Sequence, residues 1–547
     1  MRGFKVLSEL VGLTGTECVF SMLGSTNATW IGHGVADGTF RLVRTRHEET
    51  AVQAATGYSR VTGSLGICSV TRGPGFTNSI TALAAAADGH IPVVLIVGES
   101  PATSERSAQN IAQRGLAAVL GVGFHHASRP AELEAAFWAA VRAARFNGIP
   151  QVLSVGDGVL EGDVAGPSVA PETRSEFTEP DADGIGAAVD LLARARRPLI
   201  LAGQGAVLAD CRTELEELAG LSGARVGSTL MANRYFSGHP QDLGLCGGWA
   251  APITRQHIAD SDVVLAVGAS LNTFTLDQGR AFGTTKFIQC EVDAWRTLAR
   301  SPEVALVGDA RLSVSALIAE WHRRGLQPRP APRRPPTRAE VKRSLLTIDL
   351  GHDPQRGLDF RRVYHTFDQK LPEDRVVVTD LGRTLGALPS MVDATGARNW
   401  LASRSFGSIG LGLGTAVGAA AACPDRPVVL FCGDGGFMLS MASLDAVRIN
   451  ALNLTVVILN DEQYGSELMF LEPYGLPTQI VRQELPDIAT LAEAFGGRGL
   501  TVRSEPELEA IEPSQSGLLL IDARIDPGVD GTTVFHRPPA AGRETKA

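Results

Sequence analysis

The chain has 547 residues, 44% apolar and 20% charged, a balance that excludes a mainly disordered or fibrous protein and leaves material for roughly three or four cored domains. The formal net charge is −9, and the basic residues are dispersed apart from one Arg/Pro stretch, so a nucleic-acid partner is not expected. No apolar run reaches the ~18 residues of a membrane span, and Met1 to Leu10 lacks the basic-then-apolar order of a secretion signal, so no membrane association and a cytoplasmic setting are expected. The 7 cysteines (Cys18, Cys68, Cys211, Cys246, Cys290, Cys423 and Cys432) are scattered and form no C-x-x-C, which reads as reduced core thiols without a zinc site.

In chain order, Val19–Leu23 runs into the polar loop Gly24-Ser25-Thr26-Asn27. Strand-like Arg41–Val43 leads to Arg46-His47-Glu48-Glu49, ahead of a helix over Thr50–Thr62. Gly66–Val70 and Pro92–Val97 read as buried parallel strands, the first followed by the Gly/Pro loop Thr71-Arg72-Gly73-Pro74-Gly75-Phe76-Thr77-Asn78. His125-His126 is placed at a helix end. A polar stretch from Glu161 to Asp181 closes the first block.

In the second block, Pro198–Ala202 enters Gly203-Gln204-Gly205, and Asp262–Val267 enters Gly268-Ala269. The Pro-rich connector Gln327–Arg338 follows. In the third, Arg375–Thr379, Pro427–Cys432 and Leu454–Leu459 are continuous apolar runs of strand length, with a helix over Ser440–Asn450. Runs buried on both faces and separated by helices predict an α/β protein of three doubly wound parallel-sheet domains, over residues 1–165, 182–326 and 340–535. Such sheets bind ligands at the carboxyl ends of their strands.

The chemistry concentrates at those ends. Pro427–Cys432 runs into Gly433-Asp434-Gly435-Gly436, and Leu454–Leu459 into Asn460-Asp461-Glu462-Gln463-Tyr464-Gly465. One βαβ unit thereby places Asp434 and Asp461 at the same edge of neighbouring strands. Glycines let main chain approach a phosphate, and two carboxylates plus a carbonyl suit Mg²⁺ or Ca²⁺.

The G-D-G loop, a gap of roughly 26 residues and the N-D-x-x-Y-G close resemble the thiamine-diphosphate binding motif. R-H-E-E-T-A-V-Q-A-A-T-G-Y-S-R resembles the glutamate segment of acetolactate-synthase-like and 2-oxo acid decarboxylase-like enzymes. T-R-G-P-G-F-T-N, Ala108-Gln109-Asn110-Ile111-Ala112-Gln113 and Phe406-Gly407-Ser408-Ile409-Gly410 are similar to further segments of that family, in the same order. The resemblance implies a pyrimidine-binding, a central and a diphosphate-binding domain. It also implies a homodimer or homotetramer whose active sites lie between chains.

Residue by residue, the resemblance gives Glu48 the role of hydrogen-bonding the cofactor's aminopyrimidine ring, with a helix-N-terminal charge as the alternative role. Asp434, Asp461 and the carbonyl of Gln463 become the Mg²⁺ ligands; Asp461 departs from the commoner Asn. Ile409 is the wedge under the cofactor, beside Gly407 and Ser408. Gly24, Ser25, Thr26, Asn27, Gly73 and Asn78 line the pyrimidine side. Gly382, Arg383, Thr384, Gly433, Gly435, Gly436, Tyr464 and Gly465 line the diphosphate side, with a surface position the alternative for Arg383. Gln109 orients substrate. Glu467 is a candidate proton donor to intermediate or product, or a surface glutamate. Gly24–Asn27, Phe76 and Glu467–Leu471 are substrate-side candidates.

The central stretch Gly268-Ala269-Ser270-Leu271-Asn272-Thr273-Phe274 carries no arginine or aspartate where flavin-containing relatives do, so FAD is possible but not favoured. The implied activity is thiamine-diphosphate- and Mg²⁺-dependent cleavage or formation of a C–C bond, acting on a 2-oxo acid or 2-hydroxy carbonyl compound. An acyl-CoA lyase or decarboxylase type and a non-catalytic regulatory homologue are the alternatives.

Overall fold

The computed structural model describes residues 1–100, 108–167, 180–294, 301–513, 516–529 and 531. Among the described residues, eighteen strands form three six-stranded sheets, and every pairing between these strands is parallel. The first contains β1 (Cys18–Ser21), β2 (Arg41–Arg44), β3 (Gly66–Val70), β4 (Val93–Glu99), β5 (Gly123–Ala127) and β6 (Gln151–Gly156), in the order 2-1-3-4-6-5. The second contains β7 (Pro198–Ala202), β8 (Arg225–Ser228), β9 (Asp242–Leu245), β10 (Val263–Val267), β11 (Lys286–Glu291) and β12 (Val304–Val307), in the order 12-11-10-7-8-9. The third contains β13 (Val376–Thr379), β14 (Trp400–Ala402), β15 (Val428–Gly433), β16 (Leu454–Asn460), β17 (Arg498–Val502) and β18 (Leu518–Arg524), in the order 14-13-15-16-18-17.

The first and third sheets therefore share one topology. In each, strand order reverses between the first and third strands of the sheet. That reversal opens a crevice at the carboxyl ends of β1 and β3, and another at those of β13 and β15. The central strands are apolar on both faces because helices cover both: on β7, Leu199 and Leu201 join one apolar cluster, and Ile200 and Ala202 join the other.

A single cluster runs from Phe20 and Leu95 in the first sheet to Val378 and Leu430 in the third. It crosses two helices, Glu48–Thr62 and Gly412–Ala422, that pack at main-chain distance. A Cβ on Gly57 would lie 2.1 Å from the Thr415 carbonyl oxygen, and one on Gly418 1.8 Å from that of Ala54. Thr50 and Ser443 hydroxyls meet at 2.8 Å, and Arg60 donates to the carbonyls of Ala402 (2.8 Å) and Trp400 (3.3 Å) at the end of β14.

The second sheet is tied to the third by an ionic cluster. Arg234, Arg338 and Lys342 all reach Asp393, and Lys342 also reaches Asp368, which Arg375 holds from the other side. Burial raises the Asp393 carboxyl, but the combined field of Arg234, Arg338 and Lys342 outweighs it and holds the group well below the usual carboxylate range. The helix Arg338–Leu346 that carries two of these cations starts where Thr337 and Glu340 form a capping box.

Three local expectations change. The first-block helix starts at Glu48, because His47 Nδ1 accepts from the Glu49 N–H at 3.2 Å and caps it. The Gly-rich loop after β15 is already helical from Asp434 to Ser440, and Leu444–Ile449 forms a second short helix. His125 and His126 lie in edge strand β5 and not at a helix end: His125 pairs with Gln151 at 3.0 Å and His126 with Glu99 at 2.6 Å. An edge strand half open to water tolerates such polar residues. Most of the Glu161–Asp181 stretch, residues 168–179, lies outside the described residues. All 7 cysteines are buried and free, and no helix among the described residues is long and apolar enough to cross a membrane.

The helix pair gives the first testable outcome. Gly418→Val forces Cβ into main chain and is expected to cost about 2–3 kcal/mol. Exposed Gly220, within helix Arg212–Ser222 and with open space around it, should gain about 0.5–1 kcal/mol on Gly220→Ala. Urea unfolding curves of the two variants check both signs.

Candidate active site

At the first crevice, the loops after β1 and β3 lock onto each other. The Gly24 N–H donates to Asn27 Oδ1 at 2.8 Å, the Asn27 amide donates to Ser21 Oγ and the Met22 carbonyl, and the Thr26 and Thr71 hydroxyls meet at 3.2 Å. A Cβ on Gly24 would lie 2.7 Å from Thr71. Asn27 is thus used inside its own loop, while Ser25 stays exposed.

Glu48 is 7% exposed at the start of its helix. Its Oε2 accepts from Asn78 Nδ2 at 3.1 Å, which joins two residues that the sequence motifs had named separately. Gly73 has φ +63°, and a Cβ there would come within 2.6 Å of the Gln109 carbonyl oxygen. Gln109 Oε1 accepts from Arg72 Nε at 3.4 Å, and Arg72 is held in turn by Asp157. Glu48, Asn78, Gly73 and Gln109 therefore all belong to the β3 loop and its neighbours. Phe76, expected near substrate, is fully buried in the core.

At the third crevice, β15 and β16 pair with Gly433 opposite Leu459, so Asp434 and Asp461 do leave neighbouring strands at one edge. Asp434 is 2% exposed. Its Oδ1 accepts from the Gly435 N–H at 2.8 Å, while Oδ2 is buried without a partner. Burial, reinforced by the Asp461 charge, pushes the Asp434 carboxyl up to about 7. Asp461 is different: its Oδ2 takes Arg383 Nη2 at 2.5 Å and Nε at 3.1 Å, and Gln463 Nε2 at 3.3 Å. Burial raises Asp461 too, but Arg383 opposes the shift. Arg383 is therefore no surface residue; its side chain and that of Asp461 are each 7% exposed.

The glycines of these motifs are required by contact. A Cβ on Gly435 would strike the Tyr464 ring at 2.5 Å, and one on Gly465 would strike Arg383 Nε at 2.3 Å. A Cβ on Gly436 would come within 2.9 Å of Asp380 Oδ2. Gly382 and Thr384 flank Arg383 in the turn after β13. Ile409, half-buried, follows Gly407 (φ +75°) and Ser408 in a loop anchored where the Gly410 N–H donates to Asp380 Oδ2 at 2.9 Å. Glu467 is exposed in the 3₁₀ turn Gly465–Glu467.

Asp380 was missed by the sequence reasoning. It is 1% exposed, also accepts from the Leu381 N–H at 2.7 Å, and joins the β13 end to the Ile409 loop. Burial pushes it up to about 6 against those donors. Its signal was available: it is the first polar residue after an apolar strand at the reversal point.

In the central sheet the reversal lies between β7 and β10. There the two glycine loops close on each other: the Gly205 N–H donates to the Gly268 carbonyl at 3.0 Å, and a Cβ on Gly203 would lie 2.1 Å from it.

The unpartnered Asp434 oxygen predicts a pH-dependent stability change. A carboxyl whose pKa is raised by folding destabilises the fold increasingly as pH rises above about 4, fully so beyond its folded value. Asp434→Asn should therefore stabilise the ligand-free protein by about 1–3 kcal/mol at pH 8 and by nearly nothing at pH 4. Thermal unfolding at the two pH values checks this.

Residues 1–119 match the thiamine pyrophosphate enzyme N-terminal TPP binding domain, residues 185–317 the central domain and residues 380–516 the C-terminal TPP binding domain. The chain is 28% identical over 543 residues to an acetolactate synthase of Arthrospira platensis, covering 93% of this chain and 92% of that protein. It is 29% identical over 550 residues to a probable 2-ketoarginine decarboxylase of Pseudomonas aeruginosa (95% and 93% covered). It is 26% identical over 521 residues to a sulfoacetaldehyde acetyltransferase of Castellaniella defragrans (90% and 87% covered). With two crevices of shared topology and all three domains matched in order, the chain belongs to the acetolactate-synthase-like thiamine pyrophosphate enzymes.

Proposed function

We propose that this enzyme uses thiamine diphosphate with Mg²⁺ to break or form a C–C bond next to a carbonyl, decarboxylating a 2-oxo acid with carboligation to a second carbonyl as its further step. The observation that carries the reading is the pair of buried carboxyl groups at equivalent crevices: Glu48 held by Asn78, and Asp434 with one oxygen free. When bound, thiamine diphosphate would supply a nucleophilic carbon and, in its cationic thiazolium ring, a sink for the electron pair left by a departing CO₂.

The protein's part is placement and proton control. Glu48 holds a carboxyl out of water at the aminopyrimidine, with its orientation fixed by Asn78. Asp434, Asp461 and the Gln463 carbonyl would hold the cation, and the free Asp434 Oδ2 fits that role. Arg383, with Gly382 and Thr384, faces the diphosphate and offsets the extra charge that Asp461 brings. Gly433, Gly435 and Gly436 let main chain approach the phosphates, with Tyr464 and Gly465 behind them. Ile409, beside Gly407 and Ser408, would pack against the cofactor's ring system. Gln109 and the Gly24–Asn27 loop orient substrate from the pyrimidine side, and Glu467 delivers a proton late in the reaction.

The working assembly is a homodimer or a tetramer built from it, of chains whose units span residues 1–165, 182–326 and 340–535. Exposed Phe406, Leu439, Met469, Phe470, Tyr474 and Ile480 beside the third-crevice loops support a covering second copy.

The test is exchange of the thiamine diphosphate C2 proton in deuterium oxide. Exchange in the wild type with Mg²⁺ should fall by about 100-fold or more in Glu48→Gln, the usual scale of a lost acid–base group. Equal exchange in both proteins refutes the role of Glu48.

A further inference from the structure

Arg404 stands apart from the other desolvated arginines. Arg60, Arg225 and Arg234 donate to main-chain carbonyls, although Arg225 and Arg234 each leave Nε unpaired, and Arg361 and Arg375 are paired with Asp359 and Asp368. The Arg404 guanidinium lies over the face of Trp249, with Cζ 4.2 Å from the ring centroid. Its Nη1 is buried without an acceptor, and among the described residues no carboxylate pairs with it. Burial lowers the group to about 10, leaving it charged at neutral pH. A guanidinium without a hydrogen-bond acceptor is unfavourable out of water, and an indole face offsets only part of that cost.

Its position ties this anomaly to the crevice. Arg404 follows β14 and opens the loop that ends in Ile409 and Gly410. Phe406 in that loop has φ +64°, a conformation that costs energy for a bulky residue and persists only where the surroundings impose it. Those surroundings come from all three domains. The Phe406 N–H donates to Asp88 Oδ2 at 2.9 Å, Gly410 is fixed by Asp380, and Trp249 reaches in from the central domain. Trp249 is seated against Gly386, where a Cβ would come within 2.4 Å of the indole. The guanidinium is thus backed by a fixed aromatic plane and held in a constrained loop, with an open donor.

We propose that Arg404, backed by Trp249, receives a substrate carboxylate that survives the reaction; this rests on the function proposed above. A planar fork of N–H donors matches a carboxylate with two parallel hydrogen bonds. The carboxylate that departs as CO₂ is a poor occupant, because a guanidinium bound to it stabilises the ground state more than the transition state, in which that charge disperses. The occupant is therefore a second carboxylate, carried by the acceptor 2-oxo acid or by the far end of the donor.

The test titrates the protein, loaded with thiamine diphosphate and Mg²⁺, with sodium acetate and sodium succinate against chloride at matched ionic strength. Tryptophan fluorescence and thermal shift are the readouts. The wild type should bind at least one carboxylate saturably, and Arg404→Gln should weaken it about 10- to 100-fold while thiamine diphosphate affinity holds. Arg404→Lys keeps the charge without the fork and should weaken it about 10-fold; it replaces the Gln variant should that one not fold. Turnover then separates the sources: Arg404→Lys raises KM for the second 2-oxo acid in carboligation if the acceptor binds here, or for a 2-oxo diacid in CO₂ release if the donor does. No saturable binding to the wild type, or unchanged affinity in the folded variants, overturns the proposal. Failure of the wild type to bind thiamine diphosphate overturns the underlying function instead.

Discussion

The close packing of the helices Glu48–Thr62 and Gly412–Ala422 is the constraint from which the rest follows. One helix begins with Glu48, and the other begins two residues after Gly410, directly behind the Ile409 loop. Both starting points are candidate site elements belonging to different sheets. Gly57 and Gly418 let the two main chains approach so closely that neither helix can slide without collision. The shared apolar cluster then makes one body of two sheets with the same topology, so the crevice that carries Glu48 and the one that carries Asp434 hold a fixed relation within the chain.

Two buried aspartates at one sheet edge differ in how fully they are hydrogen-bonded. Asp380 and Asp434 are equally desolvated and stand at the ends of adjacent strands β13 and β15. Asp380 accepts from the N–H groups of Leu381 and Gly410, with both oxygens engaged, and works as a brace for the Ile409 loop. Asp434 leaves one oxygen open at similar burial. The half-engaged carboxylate is the one with an oxygen free for the cation proposed above. Asn27 and Arg404 repeat the contrast: the amide is consumed by its own loop, and the guanidinium is left with a free donor.

Local chemistry was legible in the sequence, and long-range partnership was not. Continuous apolar runs such as Leu454–Leu459 marked central strands because helices cover both faces, and β16 follows that run closely. The pairing of Asp434 with Asp461 at one edge followed from strand spacing alone. Asn78 beside Glu48 joins residues 30 apart, and Arg383 on Asp461 joins residues 78 apart; each depends on which strands become neighbours. The stacking of Arg404 on Trp249 crosses between domains and leaves no periodic trace. His125 and His126 were misplaced for a different reason. Polar residues argue against a buried strand, but β5 is an edge, where Gln151 of the adjacent β6 and Glu99 of β4, one strand further in, meet them.

The Arg383–Asp461 pair shows why a departure from the commoner motif is tolerable here. An aspartate in place of asparagine adds a full negative charge beside Asp434, and two carboxylates this desolvated repel each other. Arg383 restores the balance by placing a guanidinium on the Asp461 oxygen. To reach it, the side chain passes the main chain of residue 465 so closely that only glycine fits there. The aspartate, the arginine and the glycine form one unit: exchanging the aspartate for asparagine alone leaves a buried cation short of an anion, and any side chain at 465 displaces the arginine. The net charge at this edge is therefore set by the aspartate, the arginine and the glycine together, and not by the identity of one residue.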